Sequence, residues 1–304
     1  MWKKIAGGAV AGVALFGASS LGAANYLVSK IVAPTALNQA EKYNFTPYEL
    51  DSEYEEVLFP TANGRLLSGW YLPHFGESRV IITVHGHRGR KEDMLGISTF
   101  LWKAGFNVLM FDCRGHGLER RSDEIITLGH GELEDFLAAV AFVRTRFAEE
   151  GSRKPIIGAL GGSLGAAVVL VGASKDPDIQ AVWADSSFAS RQEVIAHNWT
   201  ATSHLPERPV MDLANLMFKF RTGKALVDFS PLAEISKMVP RPIFFMHALD
   251  DATTPVSHVH RLYAAALGPK ELWLEDGIGH CGIYFKYRKE YRQRAIEFFK
   301  TWLL

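Results

Sequence analysis

The chain has 304 residues, and 33 Lys and Arg balance 33 Asp and Glu, so its formal net charge is zero. Hydrophobic residues make up 48% and charged residues 22%, which excludes a disordered chain, and the missing basic excess argues against nucleic acid as a partner. Two cysteines exclude a disulfide scaffold and a cysteine-rich zinc module.

In chain order, the first element is apolar. Ile5 to Ser29 carries no charge, with Lys3 and Lys4 before it, Lys30 after it and Pro34 closing it. As a helix this run would span roughly 37 Å, enough for a bilayer core with some tilt. Gly8 and Gly12 form a GxxxG pair suited to close helix packing. The reading is an N-terminal transmembrane helix within residues 1–34, anchoring a body on the extracytoplasmic side. Two alternatives stand beside it. One is a signal peptide cut near Gly22-Ala23-Ala24, which would give a secreted protein, and the other is a helix buried in the body. Residues 35–52 read as a linker, and 53–304 as one domain.

That domain starts with a hairpin, Glu53–Pro60 and Arg65–Pro73 around Asn63-Gly64, a strong turn signal. Short apolar runs then alternate with helical patterns. The runs are Val80–Val84, Phe106–Phe111, Pro155–Leu160, Ile179–Ala184, Pro242–Met246 and Glu271–Leu274. Leu133, Phe136, Leu137, Val140 and Phe147 share one helical face, as does a final set through Ala295, Ile296, Phe299 and Trp302. This alternation predicts an α/β fold with a mostly parallel, twisted sheet flanked by helices. Residues 188–229 interrupt it and read as a small helical cap whose apolar side chains seat it on the body, line a pocket, or both.

The chemistry concentrates at the ends of the predicted strands. Gly161-Gly162-Ser163-Leu164-Gly165 follows one strand and opens a helix. Glycines flank the serine because the turn is too tight for side chains, and the serine is held up at the sheet edge. No nucleotide-loop register fits these glycines. A serine nucleophile needs a base and an acid that orients it. His280 lies in the small-residue loop Gly277–Cys281 after the last strand, and Asp250 and Asp251 both follow the strand before it. Backbone N–H groups of Leu164 and of His87, in the loop Val84–Gly89, are placed to receive an oxyanion.

These motifs, in this order, resemble the α/β-hydrolase superfamily, and within it the membrane-anchored BEM46-like and serine aminopeptidase-like groups, from about Glu53 to Leu304. His85-Gly86 is similar to the oxyanion loop, Asp112–Gly117 to the D-x-R-G-x-G loop, Ser230-Pro231-Leu232 to the segment after the cap, and His247–Pro255 to H-G-x-x-D-x-x-V-P. Ala248 and Thr254 depart from the last pattern without removing a functional group. The resemblance implies an α/β-hydrolase fold and Asp251, rather than Asp250, as the acid. It implies a Ser163–Asp251–His280 serine hydrolase cleaving small-molecule acyl esters through an acyl-enzyme, without cofactor or metal. An acyl-thioesterase or small peptidase using the same site is the alternative, and a catalytically silent membrane-bound interaction protein is the reading from another class. Dehalogenase or epoxide hydrolase chemistry is disfavoured, because those relatives carry Asp where Ser163 stands. Asp185 at a strand end is a further candidate acid. His85, His87 and His116 could suggest a metal cluster, but they read as loop-positioning residues. His258 and His260 point to different helix faces. Cys113 and Cys281 read as small buried side chains.

Overall fold

The computed structural model describes residues 2–34, 45–117, 125–151, 153–203 and 206–304, with side chains described from Phe16 onward. The strands are β1 Glu55–Pro60, β2 Leu66–Leu72, β3 Arg79–Val84, β4 Asn107–Phe111, β5 Ile156–Gly162, β6 Ile179–Asp185, β7 Ile243–Ala248 and β8 Lys270–Glu275. The helices are α1 Trp2–Val32, α2 Leu95–Lys103, α3 His130–Glu149, α4 Leu164–Lys175, α5 Arg191–Ser203, α6 Val210–Thr222, α7 Pro231–Glu234, α8 Ser257–Ala265, α9 Ile283–Lys286 and α10 Arg288–Trp302.

One sheet runs in the order β1-β2-β4-β3-β5-β6-β7-β8. β1 pairs antiparallel with β2, and β2 with β4. Every later pairing is parallel, as the continuous apolar runs require of strands covered on both faces. The two-residue period of a strand divides the core. Val80, Ile82 and Val84 pack under α3 and α4, while Ile81 faces the layer of α2 and α10. In that second layer Trp183 stacks on Phe244 with ring centroids 3.8 Å apart.

The chain leaves β3 to build β4 on one side and returns to build β5 on the other. This reversal opens a crevice at the carboxyl ends of β3 and β5, where open α/β sheets bind ligands. The loops after β3, β5, β6, β7 and β8 all emerge at this edge, and they carry the residues singled out above. Between β6 and β7 the segment 188–229 forms α5 and α6.

The expected transmembrane helix is not found among the described residues, where no helix is long and apolar enough to cross a membrane. The side chains of residues 1–15, which hold much of that expectation and its Gly8–Gly12 pair, lie outside the described ones. What is present is α1, whose second half packs on protein. Ala24, Val28, Ile31 and Val32 are buried in a cluster with Ile195, Trp199, Met211 and Phe218. Spaced three or four apart, they share one helical face. Polar contacts hold the same stretch. Arg221 on α6 donates to Ser29 Oγ at 2.9 Å and to Asn25 Oδ1 at 2.6 Å, and the Ile126 N–H donates to the Val32 carbonyl at 3.1 Å. Of the expected linker 35–52, residues 35–44 lie outside the described residues, and Pro47–Leu50 forms a 3-10 turn capped by Thr46.

Candidate active site

β5 ends at Gly162 and α4 begins at Leu164, with Ser163 between them at φ 54° and ψ −115°. That left-handed φ is costly for a side-chain-bearing residue and survives only where the surroundings over-determine it. Here the flanking glycines let two backbones touch. A Cβ on Gly161 would lie 2.3 Å from the Gly165 carbonyl oxygen, and one on Gly165 would lie 2.1 Å from the Val84 carbonyl oxygen. The Ser163 N–H donates to the Asp185 carbonyl at 2.8 Å, tying the turn to β6. Arg88, Ser186 and Cys281 also have positive φ, at 61°, 55° and 53°, so left-handed backbone gathers around this turn.

Ser163, His280 and Asp251 form one hydrogen-bonded row. His280 Nε2 lies 2.8 Å from Ser163 Oγ, and Nδ1 lies 2.6 Å from Asp251 Oδ2. The Asp251 side chain is fully buried and that of His280 is 23% exposed. Asp251 Oδ1 accepts from the Thr253 and Thr254 N–H groups at 2.9 and 2.8 Å, which leaves Oδ2 for the imidazole. His247 stands 3.4 Å from Asp251 Oδ2 and donates through Nε2 to the Thr254 carbonyl at 2.6 Å; burial holds its pKa down. The other candidate acid has a different task. Asp250 Oδ1 accepts from the N–H groups of Ile278 and Gly279, each at 3.1 Å, bracing the loop that carries His280. Those backbone donors hold the exposed Asp250 carboxyl below its ordinary range.

Leu164 is the first residue of α4, so its N–H belongs to the helix end that has no intrahelical acceptor. The loop after β3 lies against this turn: a Cβ on Gly86 would be 3.4 Å from Ser163 Cβ. Its footing is a buried ion pair in which Lys91 Nζ donates to Asp112 Oδ2 at 2.7 Å, and the Lys91 N–H donates to Asp112 Oδ1 at 2.8 Å. His85 Nε2 accepts from the Cys113 N–H at 3.0 Å, and Nδ1 faces the Gly86 carbonyl at 2.8 Å, so backbone occupies both ring nitrogens. Burial first, and His116 second, push the pKa of His85 down to about 4 and that of His87 down to about 3. Both rings are therefore neutral at pH 7. Arg114 grips Asp135 on α3 through Nη2 at 2.7 Å.

Asp185 Oδ1 accepts from Ser186 Oγ at 2.8 Å, while the carboxylate bonded to the His280 ring is that of Asp251. Burial raises the pKa of Asp185 to about 6. Cys113 and Cys281 are both free thiols, and burial pushes both well above the ordinary thiol range, which keeps them protonated.

Two cavities meet at Ser163. The larger, about 1050 Å³, lies between α1 and α5, with Leu27, Ile31, Val194, Ile195 and Trp199 among its lining. The smaller, about 260 Å³, is lined by His280, Gly86, Met94, Ile97 and Tyr284 among others. The part of α1 in the larger cavity matches the alternative of a helix buried in the body, and not the leading reading, which assigned that segment to location. A fourth polar contact of α1 makes the connection direct: Arg88 Nη2 donates to the Lys30 carbonyl at 3.0 Å, joining the end of α1 to the residue after His87.

The profile of the alpha/beta hydrolase family matches residues 81–291. The Bacillus subtilis protein YqkD is 30% identical over 255 residues, covering 83% of this chain and 81% of that one. The Arabidopsis thaliana alpha/beta hydrolase domain-containing protein WAV2 is 24% identical over 315 residues, covering 96% of this chain and 91% of its own. Among solved structures, the Pyrococcus furiosus esterase Pf2001 superposes with a TM-score of 0.72 at 27% identity, covering 90% of this chain and 99% of that one.

Proposed function

Because this chain belongs to the alpha/beta hydrolase family, we propose that it is a serine hydrolase cleaving acyl esters. The observation that carries this reading is the row Asp251–His280–Ser163, with contacts of 2.6 and 2.8 Å. In it, Ser163 Oγ attacks the acyl carbonyl while His280 takes its proton, and Asp251 holds the imidazole tautomer and stabilises the imidazolium. The N–H groups of His87 and Leu164 receive the oxyanion. His280 then protonates the departing alkoxide, and water releases the acid by the same steps in reverse. The likeness to an esterase at 27% identity supports an ester over other acyl substrates.

The test is labelling and turnover. A fluorophosphonate should modify Ser163, and Ser163→Ala should lose on the order of 10⁶ in kcat toward p-nitrophenyl esters. Full esterase activity in Ser163→Ala would rule the mechanism out.

We also propose, from sequence alone, that the charge-free stretch ahead of the half of α1 that packs on α5 and α6 tethers the domain to a membrane with the catalytic side extracytoplasmic, as in the BEM46-like group. Release of the full-length chain from membranes by alkaline carbonate would refute the tether.

A further inference from the structure

The two cavities at Ser163 differ in size, lining and position, and the differences assign their occupants once the serine-hydrolase reading above is accepted. During acylation the Ser163 Oγ–carbon bond forms and the carbon–alkoxy bond breaks. The serine proton reaches the alkoxide through His280 Nε2, and the alcohol departs. The alkoxy group must therefore sit on the side of the serine that His280 occupies. His280 lines the smaller cavity, of about 260 Å³, which falls below the span of roughly 300–1,000 Å³ usual for small-molecule sites. Tyr284 limits it further, its hydroxyl seated where a Cβ on Gly96 would lie 2.2 Å away.

The acyl chain is left with the larger cavity, at about 1050 Å³. Two helices supply much of its lining and present residues at helical spacing, and the loops after β3 and β7 close it near Ser163. Ala23, Leu27 and Ile31 come from α1, and Ile195, Trp199 and Thr202 from α5. From Gly22 to Ile31 the α1 wall runs roughly 13 Å at 1.5 Å per residue. Its near end is fixed to the oxyanion loop by the contact of Arg88 with the Lys30 carbonyl. The far end, at Gly22, has open space beside it, since a Cβ there would meet nothing within 4 Å.

We infer that the enzyme takes medium-to-long acyl chains esterified to a small alcohol, and that the second half of α1 is a specificity-determining wall of the acyl site. The acyl chain runs from Ser163 along α1 toward Gly22.

Isomeric esters separate the two subsites on the full-length protein. Methyl nonanoate and octyl acetate have the same composition and differ in which side of the carbonyl is long. Methyl nonanoate should be hydrolysed at least about tenfold faster in kcat/KM, the scale of hydrophobic-pocket discrimination; equal rates, or a preference for octyl acetate, overturn the assignment. Ala23→Phe should lower the ratio of methyl nonanoate to methyl butyrate hydrolysis about tenfold. Leu27→Ala should move the optimum to longer acids. Misfolding would depress all esters together, so opposite shifts in the two variants carry the result, and an unchanged chain-length profile in both sinks the role of α1 while leaving the serine mechanism standing. Failure of every ester, with no fluorophosphonate label on Ser163, brings down the hydrolase reading itself.

Discussion

The turn that carries Ser163 and the wall formed by α1 and α5 meet at one oxygen atom, yet they are built on different principles. In the turn, position is set by backbone against backbone. Gly161 and Gly165 lie so close to the Gly165 and Val84 carbonyls that no Cβ fits on either glycine, and the carboxylates of Asp251 and Asp250 are held by N–H donors. The wall is set by side-chain volume: an apolar cluster of α1, α5 and α6 with a few polar ties. The difference teaches where change is tolerated. Backbone contacts are all-or-none, whereas an apolar wall can be refilled or widened and still fold, since cores accept hydrophobic exchange when volume and pattern are kept. Chemistry thus rests on the part that cannot vary, and substrate size on the part that can.

The sharpest way to break this contrast is at the acid. Asp251→Asn should lower kcat about 10⁴-fold, through loss of the tautomer that the carboxylate holds. Asp250→Asn, which weakens only the brace under the His280 loop, should lose far less, and the reverse ranking in a p-nitrophenyl ester assay would exchange their roles. Next in size is the footing of the loop after β3. Lys91→Met strands the buried carboxylate of Asp112 and should cost about 3–5 kcal/mol, read as a melting temperature lower by about 10 °C. Adding Asp112→Asn should recover much of that loss, because no buried charge is left unpaired. On the wall side, Arg221→Ala removes the donors to Ser29 and Asn25 at about 1 kcal/mol per hydrogen bond. It should speed amide exchange in the second half of α1 while Ser163 labels at its usual rate; slower labelling would show that the two regions are not separable.

The smallest effect is expected at His87, where the proposed donor is backbone. His87→Gln should change kcat/KM little, yet it should alter the pH dependence of stability. The folded-state pKa values of about 4 for His85 and about 3 for His87 lie below the unfolded value near 6.5. As pH falls below 6.5, the unfolded chain takes up protons that the folded chain refuses, so stability drops. Removing one such ring should flatten the acid side of the denaturation curve; an unchanged curve would show that His87 titrates normally.

The same division explains what could be read from the sequence. The strand runs and the glycine-flanked serine were legible, because buried parallel strands and a sub-van-der-Waals turn each demand particular residue types; the reversal of strand order was not, since pairing order leaves no mark on the individual runs. Asp250 and Asp251 could not be told apart from chemistry alone: both follow β7, and which one faces the imidazole depends on how Thr253 and Thr254 turn the chain. The wall was hidden for a different reason. An Ala- and Gly-rich helix looks alike whether its apolar face meets lipid or a neighbouring helix, and the partner face on α6 lies some 190 residues away, as the bond from Arg221 to Ser29 records. Arg88 and Lys30 likewise carry no local signal of their contact.

The burial of Ala24, Val28, Ile31 and Val32 bears on how the protein should be handled. Trimming the apolar leader back to the linker, a common step toward soluble expression, would strip four side chains from that cluster and lay bare the face of α6 around Met211 and Phe218. An exposed apolar patch of this kind is an aggregation liability. It would also leave the larger cavity open along one side, so a shortened enzyme could hydrolyse short esters in the test tube and misreport the substrate it was built for.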